Sequence, residues 1–207
     1  MRFLKYITIL GLGFSIIILS SAVLLYNYNR TFVFDTYNEI RPLFLRGGGD
    51  KCLSKLEERG ISFQALGNQG DKICPVLNAI KITELPSTSL SSSIILSCPA
   101  AVKFADWVKK IEAKSLTHMG TLNCRKMRSF GIMSEHSYGL AIDISKIDEA
   151  IIKTHWNNSG SKGRKLRTAA KEACSYFTNV LTPDSNRLHY DHFHLDLGIG
   201  LPCLRLW

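Results

Sequence analysis

No two of the six cysteines are spaced as a Cys-x-x-Cys pair, and no segment of the 207 residues repeats. Acidic residues are also scarce, with 17 Asp and Glu against 26 Lys and Arg. The missing Cys-x-x-Cys pairs leave a thiolate zinc site or a thioredoxin-type redox motif without support. The length excludes a large multidomain machine and allows one domain with a tail. An apolar fraction of 45% excludes wholesale disorder. A net charge of +9 raises the question of a polyanionic partner.

A further absence lies at the N-terminus, where no charged residue occurs between Lys5 and Arg30. Within that gap Ile7 to Leu25 reads ITILGLGFSIIILSSAVLL, and as a helix it would span roughly 28 Å, about the hydrocarbon thickness of a bilayer. Arg2 and Lys5 precede it and favour a cytoplasmic N-terminus. The reading is a transmembrane anchor over residues 1–30, a juxtamembrane linker over 31–49 and a folded domain over 50–207. A cleaved signal peptide is the alternative, because Ser20-Ser21-Ala22 resembles a cleavage site. Either way the bulk of the chain is exported, and the anchored form places the domain in the periplasm of a bacterial inner membrane.

Export gives the even set of Cys52, Cys74, Cys98, Cys124, Cys174 and Cys203 the meaning of three structural disulfides. It also redirects the charge. Arg2, Lys5 and Arg30 carry three of the nine excess positive charges, and the rest would face cell-wall polymers or lipid head groups, so no nucleic-acid partner is expected.

Downstream, Gly47-Gly48-Gly49 reads as a joint, and Asp50 can N-cap a short helix stopped by Gly60. Ile61–Leu66, Thr121–Arg125, Leu140–Ile144 and His192–Leu197 read as strands. Pro99–Lys114 and Lys165–Leu181 read as amphipathic helices, the second with Leu166, Ala170, Ala173, Cys174, Phe177 and Leu181 in one stripe. The class is α+β, a small antiparallel sheet flanked by helices and carrying a metal site, with the N-terminal transmembrane helix in front.

Four of the six histidines fall in Ser134–Asp143 (SEHSYGLAID) and His189–Asp196 (HYDHFHLD). On a strand His192 and His194 share a face. His136, Asp143 and His194 together would form a three-ligand site with one open position, as a catalytic zinc requires. His118 and His155 have no motif around them and read as structural. Glu135 reads as a solvated loop charge, and Asp196 either orients an imidazole or lies polar on a surface strand.

The pattern H-x6-D followed much later by H-x-H resembles the zinc peptidases grouped with lysostaphin, the D-Ala-D-Ala peptidases and the hedgehog domains. The longer form, SEH-x-x-G-x-A-x-D with Cys124-Arg125 upstream and DHFHLD downstream, resembles the bacterial extensin-like C-terminal domain family over roughly residues 50–203. The resemblance implies Zn2+ on His136, Asp143 and His194, with His192 stabilising an oxyanion or shuttling a proton. His189, three residues before His192, and Asp191, at the position where D-Ala-D-Ala peptidases keep a carboxylate base, are further catalytic candidates. His192 ranks above Asp191, because on a regular strand Asp191 faces away from His194. Arg125 matches an upstream arginine that such enzymes use on a substrate carboxylate or carbonyl, and Cys124 beside it is expected to pair with Cys174. The activity implied is a zinc metallohydrolase, an endopeptidase or carboxypeptidase acting on the peptides of peptidoglycan. The alternative is a non-catalytic peptidoglycan-binding or scaffolding module on the same fold.

Overall fold

A computed structural model describes residues 2–128 and 131–200, with the side chains of 2–19 and 22 excepted. Among the described residues there are five α-helices: α1 (Arg2–Ile40), α2 (Gly49–Glu57), α3 (Cys98–Lys110), α4 (Ile152–His155) and α5 (Ser161–Ala173). The strands are β1 (Ser62–Gln69), β2 (Val76–Glu84), β3 (Ser89–Leu90), β4 (Ile94–Ser97), β5 (Ser115–Gly120), β6 (Ala141–Ile147), β7 (Ala150–Ile151), β8 (Asn179–Leu181) and β9 (Phe193–Asp196).

The class is α+β, but with two sheets. One has the antiparallel order β1-β2-β4; the other runs β3-β5-β6-β9-β8 with β7 added beside β6, and only its β3–β5 pair is parallel. Alternation along β6 sends Ile142 and Ile144 into the core and Asp143 to the opposite face. The same alternation in β9 buries Phe193 and Leu195 and turns His194 and Asp196 to the other side. Trp107 on α3 donates its indole N–H to the Ala169 carbonyl of α5 at 3.0 Å, locking these two helices together.

Several sequence expectations are corrected. Among the described residues no helix is long and apolar enough to cross a membrane, which overturns the anchor expected over Ile7–Leu25. Most of that stretch lies among the residues whose side chains are not described. The helix containing it continues to Ile40 through Arg30, Asp35 and Glu39. Residues 31–49 are accordingly not a bare linker: α1 fills 31–40 and a 3-10 turn follows at Arg41–Phe44. The helix expected to reach Leu181 stops at Ala173, because Asn179–Leu181 pairs with β9 as an edge strand. Thr121–Arg125 is loop, with the strand one step earlier at Ser115–Gly120.

Cys124 bonds Cys74, not Cys174, and Cys52 bonds Cys98. The Asp71 carboxylate accepts the N–H groups of Ile73 and Cys74, each at 2.8 Å, and this turn presents Cys74 to the Cys124 loop. Cys174, at the end of α5, is also disulfide-bonded.

Candidate metal centre

Three elements separated in sequence deliver the site. In the antiparallel pair β6–β9, Asp143 stands directly opposite His194 and Ala141 opposite Asp196. Directly opposed residues point to one face, so Asp143, His194 and Asp196 are neighbours by register alone. His136 arrives from a 3-10 turn, Glu135–Tyr138, which Gly139 ends in the left-handed region at φ 63°. A Cβ on Gly139 would lie 2.7 Å from the Val76 side chain and 2.9 Å from the Ser97 nitrogen, so glycine is required there for both conformation and space. Ser137 anchors the turn to the preceding loop: its Oγ accepts the Arg125 N–H and donates to the Asn123 and Arg125 carbonyls.

His136, Asp143 and His194 each offer one donor atom, all lying within 4.8 Å of one another. His136 Nε2 is 3.2 Å from His194 Nδ1 and 3.2 Å from the Asp143 carboxylate. His194 Nδ1 is 2.9 Å from Asp143 Oδ1. The outward nitrogens are both engaged. His136 Nδ1 donates to the Thr121 carbonyl at 2.9 Å, and His194 Nε2 donates to Asp196 Oδ2 at 2.9 Å. These bonds fix the tautomers and leave Nε2 of His136 and Nδ1 of His194 with inward lone pairs.

Three acceptors facing one another repel unless a proton or a cation lies among them. In the metal-free site a proton on His194 does this. Burial disfavours its charge, but hydrogen bonds with Asp143 and Asp196 and their charges prevail and raise the imidazole to about 9. Burial likewise pushes the Asp143 carboxyl up, yet its close contacts with the His136 and His194 imidazoles, the latter carrying the proton, hold it well below the usual carboxylate range. The donor set of two imidazoles and one carboxylate, with both imidazoles oriented from behind, fits zinc and leaves a fourth position open.

Beside the cluster, His192 Nδ1 donates to Asp191 Oδ1 at 2.8 Å, while its Nε2 is 3.8 Å from Asp143 Oδ1. Burial pushes the Asp191 carboxyl up, but its bond from His192 brings it below the ordinary value. His189 Nδ1 donates to Asn186 Oδ1 at 2.8 Å, and its ring centroid is 5.1 Å from that of His192 and 5.8 Å from that of His194. Burial first, and then repulsion from the neighbouring imidazoles of His194 and His192, push this imidazole down to about 4, so it is neutral at physiological pH. Arg125 is exposed, and among the described residues its side chain makes no hydrogen bond or ion pair; its main chain carries the contacts to Ser134 and Ser137.

Two contributors were not legible as such. The Thr121 carbonyl is a main-chain group without a sequence signature. Glu135, expected in solvent, is largely buried and paired with Arg41, a residue outside every motif. Asp196 takes the orienting role of its two readings.

A family model described as extensin-like protein C-terminus matches residues 50–203. No curated protein and no solved structure matches the chain.

Proposed function

This chain belongs to the extensin-like protein C-terminus family, and from the geometry of its His–Asp–His cluster we propose that it is an exported zinc metallohydrolase acting on the peptides of peptidoglycan. The observation that carries the reading is the convergence of three inward-facing donors on His136, Asp143 and His194, with each imidazole held from behind. The H-x6-D and H-x-H spacing adds a proposed kinship with the lysostaphin and D-Ala-D-Ala peptidase group. Export is supported by the disulfides Cys52–Cys98 and Cys74–Cys124, which persist in oxidising compartments. The excess of basic residues suits a carboxylate-rich polymer.

When bound, zinc polarises a substrate carbonyl and lowers the pKa of a water. The protein's own contribution centres on His192. With Nδ1–H tied to Asp191, its Nε2 faces the cluster and can take the proton of an attacking water, then return it to the departing amine as the C–N bond breaks. In its protonated form the same imidazole donates to the developing oxyanion. Asp191 therefore serves as the partner that orients His192, in the manner of a base–carboxylate pair, rather than as the direct base. His189, held neutral, adds a second imidazole to that rim. Arg125 offers an exposed guanidinium fork on the loop joined to the His136 turn, suited to a peptide carboxylate.

Purified protein loaded with zinc and incubated with muropeptides, followed by mass spectrometry, tests the reading. Shortened or opened peptide products are expected. Bound zinc without any cleavage would instead favour the binding-module alternative, for which the absence of a free carboxylate base beside the cluster, among the described residues, is the supporting observation. Metal analysis of His136→Ala and His194→Ala tests the ligand set, and stoichiometric zinc in both variants would refute it.

A further inference from the structure

The end of α1 and the turn after it lie outside the stretch matched by the family, yet they lie against the site. Phe34, Tyr37, Asn38 and Arg41 are the more buried positions there, at spacings of three or four residues, while Asp35, Thr36, Glu39 and Ile40 are exposed. One face is therefore docked. Its contacts fall on the loop leading into the His136 turn. The Asn38 amide donates to the Gly131 carbonyl at 2.8 Å, and its oxygen accepts the Met133 N–H at 2.7 Å. A Cβ on Gly131 would come within 2.9 Å of the Phe34 ring, so the two surfaces are in direct apposition.

Arg41 is the anchor of this face, a charged side chain only 4% exposed. Its Nη2 is 2.9 Å from Glu135 Oε2 and its Nε 3.4 Å from Oε1, a fork on a carboxylate. Its guanidinium also lies 5.3 Å from the centre of the Tyr138 ring. Glu135 and Tyr138 are the first and last residues of the turn that carries His136. Glu135 reaches the other half of the site as well: a Cβ on Gly198 would sit 2.6 Å from its Cγ, and Gly198 donates its N–H to Asp196, the residue that holds His194. A buried carboxylate close to Asp196 needs a counter-charge to stay in place, and removing one member of such a pair leaves the other uncompensated.

We infer that Arg41 is a positioning residue for the His136 turn, making the last turns of α1 part of the metal centre although no family motif reaches them; this rests on the zinc reading above. A cation that acted only through its charge would oppose a metal. A cation that acts by holding Glu135 in place supports metal binding, and the two roles have opposite signs.

The test uses the full chain, comparing wild type, Arg41→Gln, Glu135→Gln and the double variant. Zinc affinity is measured by chelator competition, the cobalt-substituted site by its visible absorption, and the metal-free proteins by amide hydrogen exchange. Each single change is expected to weaken zinc by about tenfold or more, as for other residues that orient ligands, with the double variant no weaker than the singles. The cobalt spectrum shifts, and exchange at the Ser134, Ser137 and Gly139 amides rises in Arg41→Gln while β1 keeps its protection. Unchanged or tightened zinc binding in Arg41→Gln overturns the inference, and so does a rise in exchange spread equally over β1. If the wild type binds no zinc, the zinc reading fails and exchange alone decides. A rise confined to the turn upholds Arg41 as the residue that positions it; no rise overturns that too.

Discussion

Asp143 and His194, 51 residues apart in sequence, face each other across β6 and β9 with a carboxylate oxygen and an imidazole nitrogen 2.9 Å apart. Register places them, and the third donor, His136, is set against both by its turn. The chemistry of the site follows from what stands behind these donors, and several measurements can expose it.

Asp196 accepts from His194 Nε2 while its other oxygen accepts from Asn179 and from the Gly198 N–H. Asp196→Ala removes the acceptor that fixes the His194 tautomer. Zinc affinity is expected to fall about 10- to 100-fold, measured by competition with a chelator, with the fold retained by circular dichroism. Wild-type affinity would show that the tautomer is set elsewhere.

On the proposed hydrolase reading, His192 and Asp191 separate catalysis from metal binding. His192→Ala is expected to lower hydrolysis of muropeptides about 10²- to 10⁴-fold while leaving zinc stoichiometry unchanged. Asp191→Asn, which weakens the orienting bond, is expected to produce a smaller loss. A larger loss in Asp191→Asn than in His192→Ala would reverse the two roles.

Proton uptake at the metal-free site has a definite sign. His194 is buried, which opposes its charge, but its bonds to Asp143 and Asp196 raise it to about 9, above the ordinary value of roughly 6.5. The stabilisation it contributes to the metal-free fold is fully present below the ordinary value and is lost as the pH rises through about 9. At pH 7.5 zinc therefore displaces roughly one proton. Calorimetry in buffers of different ionisation enthalpy reads this number, and zero proton release would contradict the protonated cluster.

Gly139 tests the scaffold. Gly139→Ala forces a Cβ into contact with Val76 and Ser97 at a left-handed φ of 63°, and the backbone strain alone costs about 1–3 kcal/mol. The thermal midpoint is expected to drop by several degrees with partial loss of zinc, because His136 lies on the same turn. An unchanged midpoint would mean that the turn can relax freely.

Local chemistry made much of this protein legible. The 3.6-residue stripe places α3, and short local runs place most of β6 and β9, because those patterns are written within single elements; α2 instead starts behind Gly48, with Asp50 inside its first turn rather than capping it. The spacing of His136, Asp143 and His194 likewise singles out residues that the structure brings within one cluster. Where the sequence reading strayed, a distant partner had decided the outcome. Leu181 has helical spacing with α5, but the open edge of β9 takes it, with Asn179 and Val180, as a strand. Cys124 has five possible partners by composition, and the turn at Asp71 puts Cys74 beside it.

The six cysteines, the basic excess and the two histidine motifs were determined by sequence, since residue type and spacing are all they require. Tertiary structure decided which nitrogen of each imidazole faces inward, that the Asp191 carboxylate accepts from His192 Nδ1, and that Glu135 is buried against Arg41, 94 residues away. Those outcomes depend on main-chain carbonyls, strand register and a docked helix face, which become neighbours only when the chain folds.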